Sequence, residues 1–285
     1  MEEVISRFLT YLFKERAAAI NTINAYGSDL KQFAQFLQNY PQKTSLKTII
    51  LEYLSSLREK KYSQASCARK FATLRSFFHW LETKGILKIN PTEGIAFPNR
   101  LTFKTQVLQK SEIKAFLEVL MRSSVKKATR DLAIFTLLYA TGIKSTELVS
   151  LDIDKVHVTP RNPYIEVGVN EKSRLILLPR ETAEVLKRYI NKVRRDLLRG
   201  RKERALFLSQ KGGRLTRQGV WLILRKHTRK AGIESNITAG IIRHSFVKHQ
   251  LVSGVLLAEL QLQLGYTNIE STSRYRRMLQ ETKAH

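Results

Sequence analysis

Tyr164-Ile165-Glu166-Val167-Gly168-Val169-Asn170-Glu171-Lys172-Ser173-Arg174-Leu175-Ile176-Leu177-Leu178 is the stretch on which the fold class turns. Tyr164–Val169 and Arg174–Leu178 are short runs with strand-forming composition, and the polar Asn170–Ser173 between them reads as a hairpin turn. Val156–Val158 can supply a third strand. On either side the apolar residues recur at three- and four-residue spacing, the period of helices. The expected fold is mainly α with a small antiparallel sheet.

Towards the N-terminus, Val4, Ile5, Phe8, Leu9, Leu12 and Phe13 share one helical face, and the pattern resumes at Ile23, Tyr26, Leu30, Phe33 and Leu37. Thr44 or Ser45 can cap a helix through Ile49, Tyr53 and Leu57, and Ser63 or Ser66 another through Phe71, Leu74, Phe77 and Leu81. Gly85 stops that helix and Asn90-Pro91 starts a turn. Periodicity lapses around Phe97–Gln106, where Pro98 extends the backbone and basic residues keep it solvated. These signals divide the chain into a helical domain at 1–97, a linker at 98–108 and a mixed α+β domain at 109–285. In the second domain a capped helix opens at Ser111-Glu112, and a mostly buried one runs over Arg130–Gly142. Beyond Pro179 helical patterns return over Thr182–Leu198, Thr216–Ala231, Thr238–Val252 and Leu256–Leu264.

Composition points to a polyanion partner. The 285 residues carry 50 Lys and Arg against 24 Asp and Glu, a formal charge of +26. Residues 1–100 hold 15 basic and 8 acidic residues, the remainder 35 and 16, so both parts are basic and the second more so. Such a surface attracts phosphate backbones through counterion release. The single cysteine, Cys67, cannot form an internal disulfide and reads as a buried reduced thiol, which suits a cytoplasmic protein. The opening residues lack a signal-peptide pattern, and the longest apolar run, near Leu132–Ile143, is too short to span a bilayer, so no membrane role is expected.

Three residues could carry phosphate chemistry. Arg243, in Gly240-Ile241-Ile242-Arg243-His244-Ser245-Phe246, could clamp a phosphate, and Tyr275, in Ser273-Arg274-Tyr275-Arg276-Arg277, could attack one. The basic neighbours of Tyr275 favour its phenolate form. Lys172, at the hairpin tip, could give a proton to a departing oxygen. Each has a plainer reading: Lys172 as a solvated turn lysine, Arg243 as the ion-pair partner of Glu147 or Glu259, Tyr275 as a packing residue.

Thr22-Ile23-Asn24-Ala25-Tyr26-Gly27-Ser28-Asp29-Leu30, with Phe33 and Phe36-Leu37, resembles the opening of the core-binding domain of Xer-type tyrosine recombinases. Ser66-Cys67-Ala68-Arg69-Lys70, Leu74-Arg75-Ser76-Phe77-Phe78 and Asn90-Pro91 resemble the end of that domain. The catalytic half is similar through Tyr139-Ala140-Thr141-Gly142-Ile143-Lys144-Ser145-Thr146-Glu147-Leu148, Leu151-Asp152, Arg243-His244-Ser245-Phe246, Leu264-Gly265-Tyr266-Thr267 and Tyr275. The resemblance covers nearly the whole chain. It implies a two-domain, C-shaped clamp of a helical core-binding domain and a mixed catalytic domain on duplex DNA with an inverted-repeat site. It further implies a partner that is a second copy or a related recombinase subunit, as in chromosome or plasmid dimer resolution or mobile-element integration. In that family a tyrosine forms a 3′-phosphotyrosyl link, two arginines steady the transition state, a hairpin lysine protonates the leaving oxygen, and no metal or cofactor takes part. Carried over, Tyr275 matches the nucleophile, Arg243 the second arginine and Lys172 the hairpin lysine.

Three positions depart from the family pattern. Lys144 stands where the first arginine is expected, and lysine lacks the two-pronged grip on phosphate oxygens; losing a preorganised donor costs roughly 3 kcal/mol. Gly240 stands where a histidine or lysine handles the tyrosine's proton, a loss worth on the order of 10² to 10⁴ in rate. His244 follows Arg243, about 100° further around the helix, and is not expected to substitute. Tyr266 replaces a histidine or tryptophan and can still donate to a phosphate oxygen. The residues after Tyr275, Met278-Leu279 and Lys283-Ala284-His285 among them, read as a short tail for subunit exchange. Two functions are therefore expected of such a chain: a slowed recombinase, or a recombinase-derived DNA-binding protein with little or no cutting.

Overall fold

The computed structural model describes residues 1–41, 43–96, 106–122, 126–168, 173–266 and Tyr275. Lys172, most of the 98–108 linker, the arginines flanking Tyr275 and the tail beyond it lie outside the described residues. The chain divides into two compact units, Met1–Phe103 and Lys104–His285.

In the first unit four helices follow the apolar periodicity: α1 Glu2–Lys14, α2 Ile20–Leu37, α3 Leu46–Glu59 and α4 Gln64–Thr83. Ser63 caps α4, its hydroxyl accepting the Ser66 N–H at 3.2 Å. The left-handed Gly85 (φ 69°) follows its end. Phe8, Phe33, Tyr53, Phe77 and Phe78 fill the core with edge-on ring contacts. Asp29 is buried there, paired with Arg69 and, at 2.8 Å, with the Lys70 ammonium. The cations of α4 offset the desolvation of this buried carboxylate. That pairing joins the two motif stretches, Thr22–Leu30 and Ser66–Lys70, in one α2–α4 contact. Cys67 is buried and free.

The second unit opens on α5 Lys110–Met121, and its N-cap is Gln109 rather than Ser111. The Glu112 carboxylate accepts the Gln109 N–H at 2.7 Å, so the helix starts two residues earlier than a Ser111 cap suggests. Then follow α6 Lys126–Thr141 and α7 Ser145–Ser150. The strands β1 Val156–His157, β2 Tyr164–Val167 and β3 Arg174–Leu177 form the three-stranded sheet, in the order β1-β2-β3. Both pairings are antiparallel, with Ile165 opposite Val156 on one side and Ile176 on the other. Ile165, Val167 and Ile176 bury one face of the sheet; Leu175 and Leu177 point out.

Helix α8, Arg180–Arg188, runs through a wide π-type stretch, Tyr189–Arg194, into α9, Arg195–Leu198. No sequence period marks that widening. It turns Tyr189 inward, where its hydroxyl donates to Leu206 O and accepts from Leu208 N, each at 3.1 Å. Helices α10 Arg217–Lys230 and α11 Ala239–Val252 are capped by the hydroxyls of Thr216 and Thr238, and α12 Leu257–Leu264 closes the described helices. Alpha6 is the buried spine. Its Ala133, Ile134, Phe135, Leu137 and Leu138 are all at most 1% exposed. Behind them Asp131 binds His227 at 2.9 Å and Arg130 at 2.8 Å in a fully buried cluster. Among the described residues no helix is long and apolar enough to cross a membrane.

Candidate active site

Helix α11 carries the centre of the site. The Thr238 cap accepts the Ile241 N–H at 3.2 Å and fixes its start. One face, with Ile242, Phe246 and Val247, is buried, and Arg243 is buried with it at 5% exposure. Ser245 locks this helix to the first described residues of the unit: its hydroxyl accepts the Leu108 N–H at 2.7 Å and donates to Ile241 O at 2.8 Å. The chain between them spans 137 positions, which is why no local signal in the sequence marks Ser245.

The guanidinium of Arg243 is held on three sides. Nη1 donates to Gly142 O at 2.7 Å, Nη2 to Leu264 O at 3.1 Å and Nε to the Tyr266 hydroxyl at 3.1 Å. It lies over the Tyr266 ring, 4.7 Å from its centroid. Neither Glu147 nor Glu259 pairs with it among the described residues. Glu147 binds Arg174 instead, at 2.8 Å. Three of the five guanidinium N–H groups are thus engaged, and the other two have no described partner. A phosphate oxygen can use them, and the arginine is already oriented when it arrives.

Two glycines make that anchoring possible. Gly142 ends α6 with φ 63°, and a Cβ there would stand 2.5 Å from Phe246 Cδ1, so a side chain would displace the carbonyl that Arg243 holds. Gly265 ends α12 with φ 65°, and its Cβ would meet Arg174 Nη1 at 2.9 Å. Arg174, at the start of β3, joins the hairpin to this corner: Nε donates to Gln263 O at 2.6 Å while Nη1 grips Glu147. Sequence reading gave Arg174 only a strand position. Burial alone would raise the Glu147 carboxyl, but the Arg174 hydrogen bond, the Lys144 N–H and the charge of Arg243 hold it below the usual carboxylate range.

Tyr275 comes into the same corner. It is 1% exposed, packed with Phe246, Val247, Leu251, Leu260 and Leu264. Its hydroxyl lies 3.2 Å from that of Tyr266 and 2.9 Å from Nδ1 of His244. The second contact overturns the expectation that His244 is out of reach. His244 points away from Arg243 around the helix, but the two tyrosine hydroxyls bridge the arc between those side chains.

Of the sequence candidates, the described structure therefore brings Arg243, Tyr266 and Tyr275 together. Lys144 is exposed, at the N-terminus of α7, where its backbone N–H donates to the Glu147 carboxylate at 2.7 Å. Gly240 stands on the first turn of α11, and among the described residues a Cβ there would meet Thr238 Oγ1, at 3.6 Å.

Residues 106–282 match the sequence profile of the phage integrase family, and residues 5–85 that of the phage integrase N-terminal SAM-like domain. The chain is 36% identical over 287 residues to tyrosine recombinase XerC of Roseiflexus castenholzii (strain DSM 13941 / HLO8), covering 99% of this chain and 91% of that protein. It is 34% identical to tyrosine recombinase XerD of Listeria monocytogenes serovar 1/2a (strain ATCC BAA-679 / EGD-e), covering 96% and 94%. Among solved structures, XerH site-specific recombinase bound to a palindromic difH substrate, in a post-cleavage complex, superposes with a TM-score of 0.75 at 22% identity, covering 98% of this chain and 82% of that one.

Proposed function

The chain belongs to the phage integrase family as a tyrosine recombinase of the XerC/XerD type acting on DNA, and from that premise we propose that it is a site-specific recombinase with Tyr275 as nucleophile. Residues 1–97 serve as the core-binding domain and 109–285 as the catalytic domain, joined through 98–108. Together they close on duplex DNA carrying an inverted-repeat site, beside a second copy or a related recombinase subunit. One observation carries the reading: the Tyr275 hydroxyl is 3.2 Å from that of Tyr266, which is itself held by Arg243 Nε.

Each step follows from these groups. The Tyr275 oxygen attacks phosphorus, and the bond from phosphorus to the 5′ oxygen breaks to leave a 3′-phosphotyrosyl ester. Arg243 offers its two remaining N–H donors to the non-bridging oxygens, where charge accumulates. Tyr266 supplies a further donor at the same corner, and Lys144 a positive charge. Lys172 gives a proton to the 5′ oxygen as it departs. The ester keeps the energy of the broken bond, so a 5′ hydroxyl reseals it by the reverse path.

A second reading, DNA binding with little or no cutting, is favoured by Lys144 and Gly240, the exposed monodentate cation and the vacant position described above. A pool of nicked suicide duplexes with randomised arms separates the two. The recombinase reading expects a denaturation-resistant adduct with the wild-type chain and none with Tyr275→Phe. Specific binding without an adduct, with cutting gained in Lys144→Arg combined with Gly240→His, would establish the second.

A further inference from the structure

Resting on the cutting reading above, we propose that His244 is the catalytic base that takes the phenolic proton of Tyr275, filling the role left vacant at Gly240. Nδ1 of His244 and the Tyr275 hydroxyl are 2.9 Å apart, within direct proton-transfer distance. The neighbouring bonds are compatible with the phenol as donor. A guanidinium can only donate, so Arg243 Nε–H occupies a lone pair of the Tyr266 oxygen at 3.1 Å. That leaves the Tyr266 hydrogen available to the Tyr275 oxygen, 3.2 Å away. When the neutral imidazole carries its proton on Nε2, Nδ1 is an acceptor and the Tyr275 hydroxyl donates to it. The chain Arg243, Tyr266, Tyr275, His244 thus places an acceptor at the proton's end and two donors behind the oxygen that becomes negative.

Gly240, one turn before His244 on α11, has no side chain to compete for this proton, and among the described residues a Cβ there would meet Thr238 Oγ1 at 3.6 Å. Lys248 lies one turn beyond His244 on the same helix, and Tyr275 faces His244 from the chain past α12, with the Tyr266 hydroxyl next to that of Tyr275. In the forward step the O–H bond of Tyr275 breaks, its proton passes to Nδ1 and the oxygen bonds to phosphorus. The bond to the 5′ oxygen breaks, and that oxygen takes its proton from Lys172. In resealing the imidazolium returns its proton to the departing phenol oxygen and Lys172 recovers its own.

The test uses the full-length protein and the randomised suicide duplexes, with adduct formation, duplex binding and thermal unfolding followed in parallel. His244→Ala is expected to slow adduct formation by about 10² to 10⁴, with binding and melting close to wild type. Added imidazole should restore part of that rate in His244→Ala and none in Tyr275→Phe. His244→Asn, which offers the phenol a hydrogen bond but cannot take its proton, should be as slow as the alanine variant, and it carries the test if the alanine variant does not fold. The proposal is overturned if either variant cuts at the wild-type rate, or if the loss ignores imidazole while melting or binding falls with it. A wild-type chain that forms no adduct sinks the cutting reading itself, whereas a wild-type adduct with an unaffected His244→Ala sinks only the base.

Discussion

Arg243 shows how a single residue serves structure and chemistry at once. Its bonds to Gly142 O and Leu264 O tie the ends of α6 and α12 to the middle of α11, all out of water. Arg243→Lys keeps the charge but cannot reach both carbonyls and Tyr266 together. Each buried acceptor left unpaired costs about 1–3 kcal/mol, so urea unfolding should show a loss of roughly that size. Adduct formation should fall by about a hundredfold or more, since an oriented transition-state donor goes with it. The opposite exchange, Lys144→Arg, adds a planar two-pronged donor at an exposed position and should speed adduct formation about tenfold or more, with melting unchanged. An unchanged rate would place residue 144 away from the phosphate. Arg243 and Tyr275 stood out in the sequence by residue type and basic context, and Tyr266 through the resemblance to the recombinase family. His244, Ser245 and Arg174 were not, because their partners lie 31, 137 and 89 positions away and only the tertiary fold supplies them.

Helix ends, more than helix middles, position this site. Gly142 has φ 63° and its missing Cβ would overlap the Phe246 ring, so Gly142→Ala adds backbone strain to a steric clash. We expect about 2–4 kcal/mol of destabilisation in denaturant titration, the scale of overpacking plus a left-handed non-glycine residue. Behind α6 the Asp131 carboxyl is pushed up by burial, but hydrogen bonds from His227 and Arg130 outweigh that and lower it below its ordinary value. A depressed carboxylate contributes stability above its unfolded pKa of about 3.9 and loses it as pH falls through the folded value. Unfolding temperature should therefore drop below about pH 4. Asp131→Asn should lose about 3–5 kcal/mol at neutral pH by stranding Arg130, and its curve should be flatter in that acid range. The elements were largely readable, since Ser63, Thr216 and Thr238 cap as their type predicts and alternation marks the strands. What escaped was competition between neighbours, such as Gln109 displacing Ser111 through Glu112, and the π stretch at Tyr189–Arg194, which packing imposes without a pattern.

Over the whole molecule the charge of +26 governs how DNA is met. Every phosphate neutralised by a lysine or arginine releases condensed counterions, so log Kd should rise with log salt at about 0.9 per contact on duplex DNA. Both parts of the chain are basic, and binding should weaken by about 10³ or more between 50 and 200 mM salt if six or more phosphates are engaged. This slope reports on Lys144 independently of any cutting. Were its exposed ammonium on a phosphate in the bound complex, Lys144→Met would lower the slope by about 0.9 and Lys144→Arg would leave it unchanged. Measured by fluorescence anisotropy with Tyr275→Phe as the background, so that no covalent product accumulates, a slope unaffected by Lys144→Met would mean that the lysine never reaches the backbone. Arg243 would then hold the scissile phosphate without a second cation from α7, and the adduct-forming rate of Lys144→Arg would have to come from an arginine reaching further than the lysine it replaced.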